Sequence, residues 1–250
     1  MMAPVRISPT VKLIAIACLA GFVLQHAADQ FFGAHLLQQF GLVPKSFIID
    51  HYFWQIFTYP FLHGDVLHLF LNLAMMVFIG SDLEYLWGRR KFTVFFFVCS
   101  TFAGLLYLLL QAWVYGGEGL HAPMVGASGA IYGLLMAYGV IFGERVMLFM
   151  MLFPMKAKHF IWLLALIEFM SSVFSGKSGL SSAAHVGGMV AGLLFIALDR
   201  RFGLSTTFSR LVDKVQHKRP SGRSSKKSHL KLVIDNDSEE KPPRNPKSWH

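Results

Sequence analysis

Charge is scarce in this chain. Only 15% of its 250 residues are Asp, Glu, Lys or Arg, whereas 54% are hydrophobic. Soluble domains carry about 25% charged residues, so the composition, with a mean hydropathy of +0.49, argues against one. It equally excludes a disordered protein and a charge-rich coiled coil. Cysteine is nearly missing too. Cys18 and Cys99 each sit in an apolar run, where a thiol acts as a small hydrophobe. Two such residues make neither a disulfide framework nor a metal cluster.

The charge that is present sums to +9, with a pI near 9.7. Its location matters more than its size. Residues 200–250 hold 13 Lys/Arg against five acids, and residues 1–199 hold ten against nine. The excess therefore belongs to a tail on a nearly neutral, apolar body, and it does not mark a nucleic-acid partner.

A membrane-spanning helix needs about 20 mostly apolar residues. Six segments meet or approach that length, at roughly 11–30, 64–86, 92–115, 126–143, 158–175 and 183–199. The first has Arg6 and Lys12 ahead of it but no small-x-small cleavage site behind it, so it reads as a retained helix and not a signal peptide. The fold class expected is an all-α integral membrane bundle of six transmembrane helices. Residues 1–202 form the membrane domain and 203–250 a basic, disordered tail.

Basic residues favour the cytoplasmic side. With a cytoplasmic N-terminus and six alternating helices, 21 of 23 Lys/Arg fall inside, leaving only Lys45 and Lys177 outside. Both termini are then cytoplasmic. Two connections are unusual. The outside link 31–63 carries Phe47, Tyr52, Phe53 and Trp54, the amphipathic aromatics that settle at a membrane interface. The inside stretch Val146 to Pro154 is apolar, too short to span, and is read as interfacial.

Polar groups inside a span are costly and have a reason to be there. Here they gather in segments two, four and six: His63, Asp65, His68 and Asn72; then Gly126-Ala127-Ser128-Gly129-Ala130-Ile131-Tyr132; then Ser181-Ser182-Ala183-Ala184-His185. All three segments run from outside to inside, so the polar sets share one depth beneath the outer face. Gly129, Gly133 and Ala137 form a small-residue stripe, as do Ala184, Gly188 and Gly192. Such stripes let helices approach closely in lipid, which would bring the Ser128 hydroxyl and the His185 imidazole into hydrogen-bond reach. A base-activated serine needs that arrangement. The start of segment four would offer free N–H groups and a positive dipole end to an oxyanion. His68 and Asn72, at i and i+4, share one face and could donate to it. Taken singly, each element also has a packing explanation; their matched depth favours a site.

With these residues in place, the chain resembles the rhomboid intramembrane serine proteases. The likeness rests on Gly126-Ala127-Ser128-Gly129, on His68-x-x-x-Asn72 before it and on Ala184-His185-x-x-Gly188-x-x-x-Gly192 after it, and covers residues 10 to 200. It implies a serine endopeptidase, without cofactor or metal, that cuts single-pass transmembrane substrates near the outer face. Ser128 would be the nucleophile and His185 the base of a dyad lacking a carboxylate. His68, Asn72 and the Ser128 backbone N–H would form the oxyanion hole. Tyr132 would carry the histidine, with Gly126, Gly129 and Gly188 in support, and His63 and Glu84 are structural matches. Substrate would arrive sideways from lipid near segments two and five. One departure is that the family's first outside loop commonly carries Trp-Arg, and here it reads Trp54-Gln55. The expected location is a bacterial inner (cell) membrane; the oligomeric state is not readable.

Glu168 lies in the middle of segment five, near mid-membrane while Ser128 is near the outer face. That makes it poorly placed as a third catalytic member, and a buried structural residue, protonated or hydrogen-bonded, is expected instead. Asp65 is expected to cap its helix. Rival readings are a metal enzyme, though no His-Glu-x-x-His is present, a haem protein with His68 and His185 as axial ligands, a transporter, and a catalytically silent rhomboid-like protein that binds membrane clients. The tail contributes nothing to the inferred site. Removing residues 205 to 250 is therefore expected to leave cleavage of a transmembrane test substrate largely intact in properly inserted protein; complete loss would make the tail part of the machinery.

Overall fold

In lipid the backbone has no partner but itself, so apolar segments become helices and their ends need caps from elsewhere in the chain. The computed structural model describes residues 6–149, 153–176 and 179–202, all within the compact unit Met1–Arg210. The basic tail lies outside the described residues, as does the boundary expected at residue 203. Six apolar helices follow one another: α1 (Pro9–Phe32), α2 (Val66–Trp87), α3 (Arg89–Leu110), α4 (Ser128–Ile141), α5 (Ala157–Phe174) and α6 (Gly179–Phe202). α1, α2, α3, α5 and α6 are long and apolar enough to cross a membrane; α4 has only 14 residues.

α4 starts and ends two residues inside the expected 126–143 segment. Gly126 has a φ of +105°, a left-handed backbone that ends any helix and that glycine adopts without strain. The helix can begin only beyond it, at Ser128. At about 21 Å long, α4 falls short of a hydrocarbon core of about 30 Å. It can afford to, because ten of its 14 residues are buried and its neighbours, not lipid, surround it. The outer helices show the opposite pattern. Leu13, Ile16 and Val23 on α1, and Trp162, Leu166, Phe169 and Val173 on α5, are exposed, presenting an apolar exterior suited to acyl chains.

The connections are tied down by hydrogen bonds. In the 31–63 link, the buried Gln55 side chain accepts from the Val43 N–H at 3.0 Å and donates to the Gln38 carbonyl at 3.0 Å. Trp54 Nε1 donates to the Gln39 carbonyl at 3.0 Å. Trp54-Gln55, the pair that departs from the family pattern, thus knits the link's short helical turns together. The stretch read as interfacial is a β-hairpin, β1 (Val146–Phe149) antiparallel to β2 (Phe153–Lys156). At its base Arg145 donates to Asp82 of α2 at 2.6 Å.

One long-range contact fixes the start of the bundle. The buried Glu84 carboxylate of α2 accepts from the Ser8 hydroxyl and from the Thr10 and Val11 backbone N–H groups. It thereby caps α1, whose first-turn donors lack intrahelical partners and whose dipole favours a negative charge there. Glu84→Ala leaves these donors stranded and should lower stability by about 2 kcal/mol, measured as thermal unfolding in detergent micelles. Glu144→Ala, at an exposed position, should be nearly silent.

Candidate active site

The site begins with how closely α4 and α6 approach. A Cβ built on Gly188 would lie 2.0 Å from the Gly129 carbonyl oxygen, and one on Gly192 would lie 2.8 Å from that of Gly133. The backbones therefore touch where the two small-residue stripes meet. On another side of α4, Cβ atoms at Gly129 and Gly133 would collide with Ala103 and Cys99 of α3, each at 2.6 Å. α4 is gripped between its neighbours through its glycines.

That grip sets the polar groups. His185 Nε2 lies 2.8 Å from Ser128 Oγ. The imidazole stacks on the Tyr132 ring with centroids 4.2 Å apart and an interplanar angle of 12°. Tyr132 donates its hydroxyl to Glu168 Oε1, and Glu168 Oε2 lies 3.2 Å from His185 Nδ1. Ser128 is only 9% exposed, and as the first residue of α4 it has a backbone N–H with no intrahelical partner.

α2 reaches the same place. Asp65 caps it by accepting from the His68 N–H at 2.8 Å, as expected. His68 and Asn72 converge on the turn before Ser128: a Cβ on Gly126 would sit 2.7 Å from the His68 ring and 3.6 Å from Asn72 Nδ2. Only glycine leaves room for the imidazole at that point. Asn72 Nδ2 is buried and makes no hydrogen bond among the described residues, which leaves a donor available. His63 packs behind, its ring 5.1 Å from that of His68. Burial, and then the neighbouring His68, push His63 down to about 4, so it is neutral at pH 7.

Two contributors escaped the sequence reading. Tyr59, fully buried, accepts the Gly126 N–H on its carbonyl at 3.0 Å and donates its phenol to the Ser100 carbonyl at 2.6 Å. It pins the Gly126 turn to α3. Glu168 is the other, and its expected position is wrong: it does not lie far below Ser128 but beside His185. The link from α5 to α6 is short, and Glu168 lies six residues before its start at Phe174, as His185 lies six after its end at Gly179. Residues equidistant from a tight antiparallel helix turn stand side by side. The bounds read from the sequence, 158–175 and 183–199, set Glu168 seven residues before one helix end but His185 only two after the next start, which hid that symmetry.

Residues 50–202 match the family model of the rhomboid domain. Rhomboid-like protease 3 of Toxoplasma gondii is 38% identical over 82 residues, or 33% of this chain and 28% of the relative. Rhomboid protease GlpG of Serratia proteamaculans is 32% identical over 152 residues, or 59% of this chain and 49% of the relative. Inactive RHOMBOID-like protein 8 of Arabidopsis thaliana is 28% identical over 95 residues, or 38% of this chain and 25% of the relative. The chain thus spans at most about half the length of these relatives.

The α4–α6 contact generates a direct test. Gly188→Ala sets a methyl group against a backbone carbonyl that cannot swing aside, and should destabilise the protein by about 3 kcal/mol. Gly64→Ala meets nothing within 4 Å and should leave the unfolding temperature unchanged.

Proposed function

The chain belongs to the rhomboid family, and we propose that it is an intramembrane serine endopeptidase acting on transmembrane proteins through Ser128 and His185. The observation that carries this reading is the 2.8 Å contact between His185 Nε2 and Ser128 Oγ, made within a bundle whose exterior is apolar. A serine hydroxyl is a weak nucleophile until a base within hydrogen-bond distance can take its proton. In that role His185 Nε2 accepts the Ser128 proton as Oγ attacks the scissile carbonyl carbon. The carbonyl oxygen becomes an oxyanion facing the Ser128 N–H, His68 and the unpaired Asn72 amide. Donors already fixed in place stabilise such charge without reorganising. Collapse breaks the C–N bond, the leaving nitrogen takes the proton from His185, and water then hydrolyses the acyl-enzyme by the same relay. No metal or cofactor has a part in this cycle.

The distribution of Lys and Arg supports cytoplasmic termini, which puts the reaction near the outer face of a cell membrane. The recessed start of α4 supports a site below that face, which water must reach from above while substrate arrives from lipid. A second reading follows from the inactive relative: a client-binding protein that keeps the fold without the chemistry. Retention of both Ser128 and His185 in contact favours the protease.

Labelling with a fluorophosphonate separates the two. Wild-type protein should label on Ser128, whereas Ser128→Ala and His185→Ala should label at least about 10³-fold more slowly. Folded wild type that takes up no label would leave the client-binding reading standing.

A further inference from the structure

Resting on that reading, we propose that Glu168 is a positioning residue that orients and charge-balances His185, making the site a Ser-His-Glu constellation and not a bare dyad. The geometry runs through four atoms. Nε2 of His185 faces the serine oxygen that must lose its proton, so the neutral ring carries its own proton on Nδ1. Nδ1 is buried without a well-aligned hydrogen bond, and Glu168 Oε2 lies 3.2 Å away. The other carboxylate oxygen is held by the Tyr132 hydroxyl. Tyr132 therefore acts twice: its ring supports the imidazole face, and its hydroxyl fixes the carboxylate at the imidazole edge.

Glu168 and His185 are both largely buried, with side-chain exposures of 12% and 19%. A carboxylate with so little water around it needs a partner. An imidazolium formed when Nε2 takes the Ser128 proton needs one equally. The pair meets both needs at the moment of attack, and the proton on Nδ1 stays where it is throughout. The groups facing the ring are His68 from α2, Ser128 and Tyr132 from α4 and Glu168 from α5. α3 meets this stretch of α6 with Leu106 beside Gly187. Glu168 is the one carboxylate in that set.

The experiment is the rate of fluorophosphonate labelling in micelles for wild type, Ser128→Ala, Glu168→Gln and Glu168→Asp, with thermal unfolding of each. Glutamine keeps the shape and can still accept from Tyr132, but it carries no charge. Labelling of Glu168→Gln should be slower by about tenfold or more, less than where a triad carboxylate is the ring's sole support, because the Tyr132 stack remains. Glu168→Asp keeps the charge and should recover part of the lost rate. A merely structural Glu168 would give the opposite order, since the isosteric glutamine preserves packing better than the shorter aspartate. If Glu168→Gln does not fold, Tyr132→Phe takes over. It keeps the stacked ring and removes one donor to the carboxylate, so labelling should slow. A folded Glu168→Gln that labels at the wild-type rate, or a folded Tyr132→Phe that does so where Glu168→Gln does not fold, overturns the role of Glu168 alone. Folded wild type that does not label overturns both readings together.

Discussion

Everything at this site depends on the contact of two helix backbones. In lipid, apolar surface gives helices little reason to associate, so close van der Waals fit and polar pairing must hold them. α4 and α6 fit so closely that the Gly129 carbonyl occupies the place where a side chain on Gly188 would begin. At that separation a short serine side chain and an imidazole from facing helices meet at 2.8 Å. One methyl group at the crossing would part them. Stability and the candidate chemistry thus rest on the same few atoms, and neither is adjustable without the other.

The second organising element is the treatment of charge. Among the described residues two buried carboxylates, Glu84 and Glu168, lie within the helices, and each is matched to donors. Glu84 caps the buried start of α1, while Glu168 sits between a tyrosine hydroxyl and an imidazole. Each ties its own helix to a neighbouring one, so they add geometric definition that apolar packing alone supplies poorly. Tyr59 and Gln55 are polar anchors of the connections, where backbone groups must be held without water on every side. They fix the Gly126 turn and the link that covers it.

Much of this was legible in the sequence because the membrane imposes simple rules. The six apolar segments, their approximate bounds and the three polar sets all follow from hydropathy and from the cost of polar groups in lipid. The juxtaposition of Ser128 and His185 was expected from the small-residue stripes. Less legible was depth. Counting residues along α5 placed Glu168 near mid-membrane, but depth relative to Ser128 depends on where α4 starts. His185 is the meeting point, 2.8 Å from Ser128 and 3.2 Å from Glu168, and Gly126, which holds the start of α4 back to Ser128, helps set where that happens. The strand pairing after α4 was not legible either: an apolar run too short to span says nothing about whether it pairs with itself.

By itself the sequence determined the helices, their order and which side chains could take part in a site, because these follow from local composition and from lipid as solvent. Rotation, tilt and relative depth were decided only by the tertiary structure, since they come from contacts between helices far apart in the chain. Those contacts turned Tyr132 from a support into a bridge and Glu168 from a buried structural charge into a neighbour of His185. They also made Tyr59, invisible as a loop aromatic, the residue that holds the turn before Ser128.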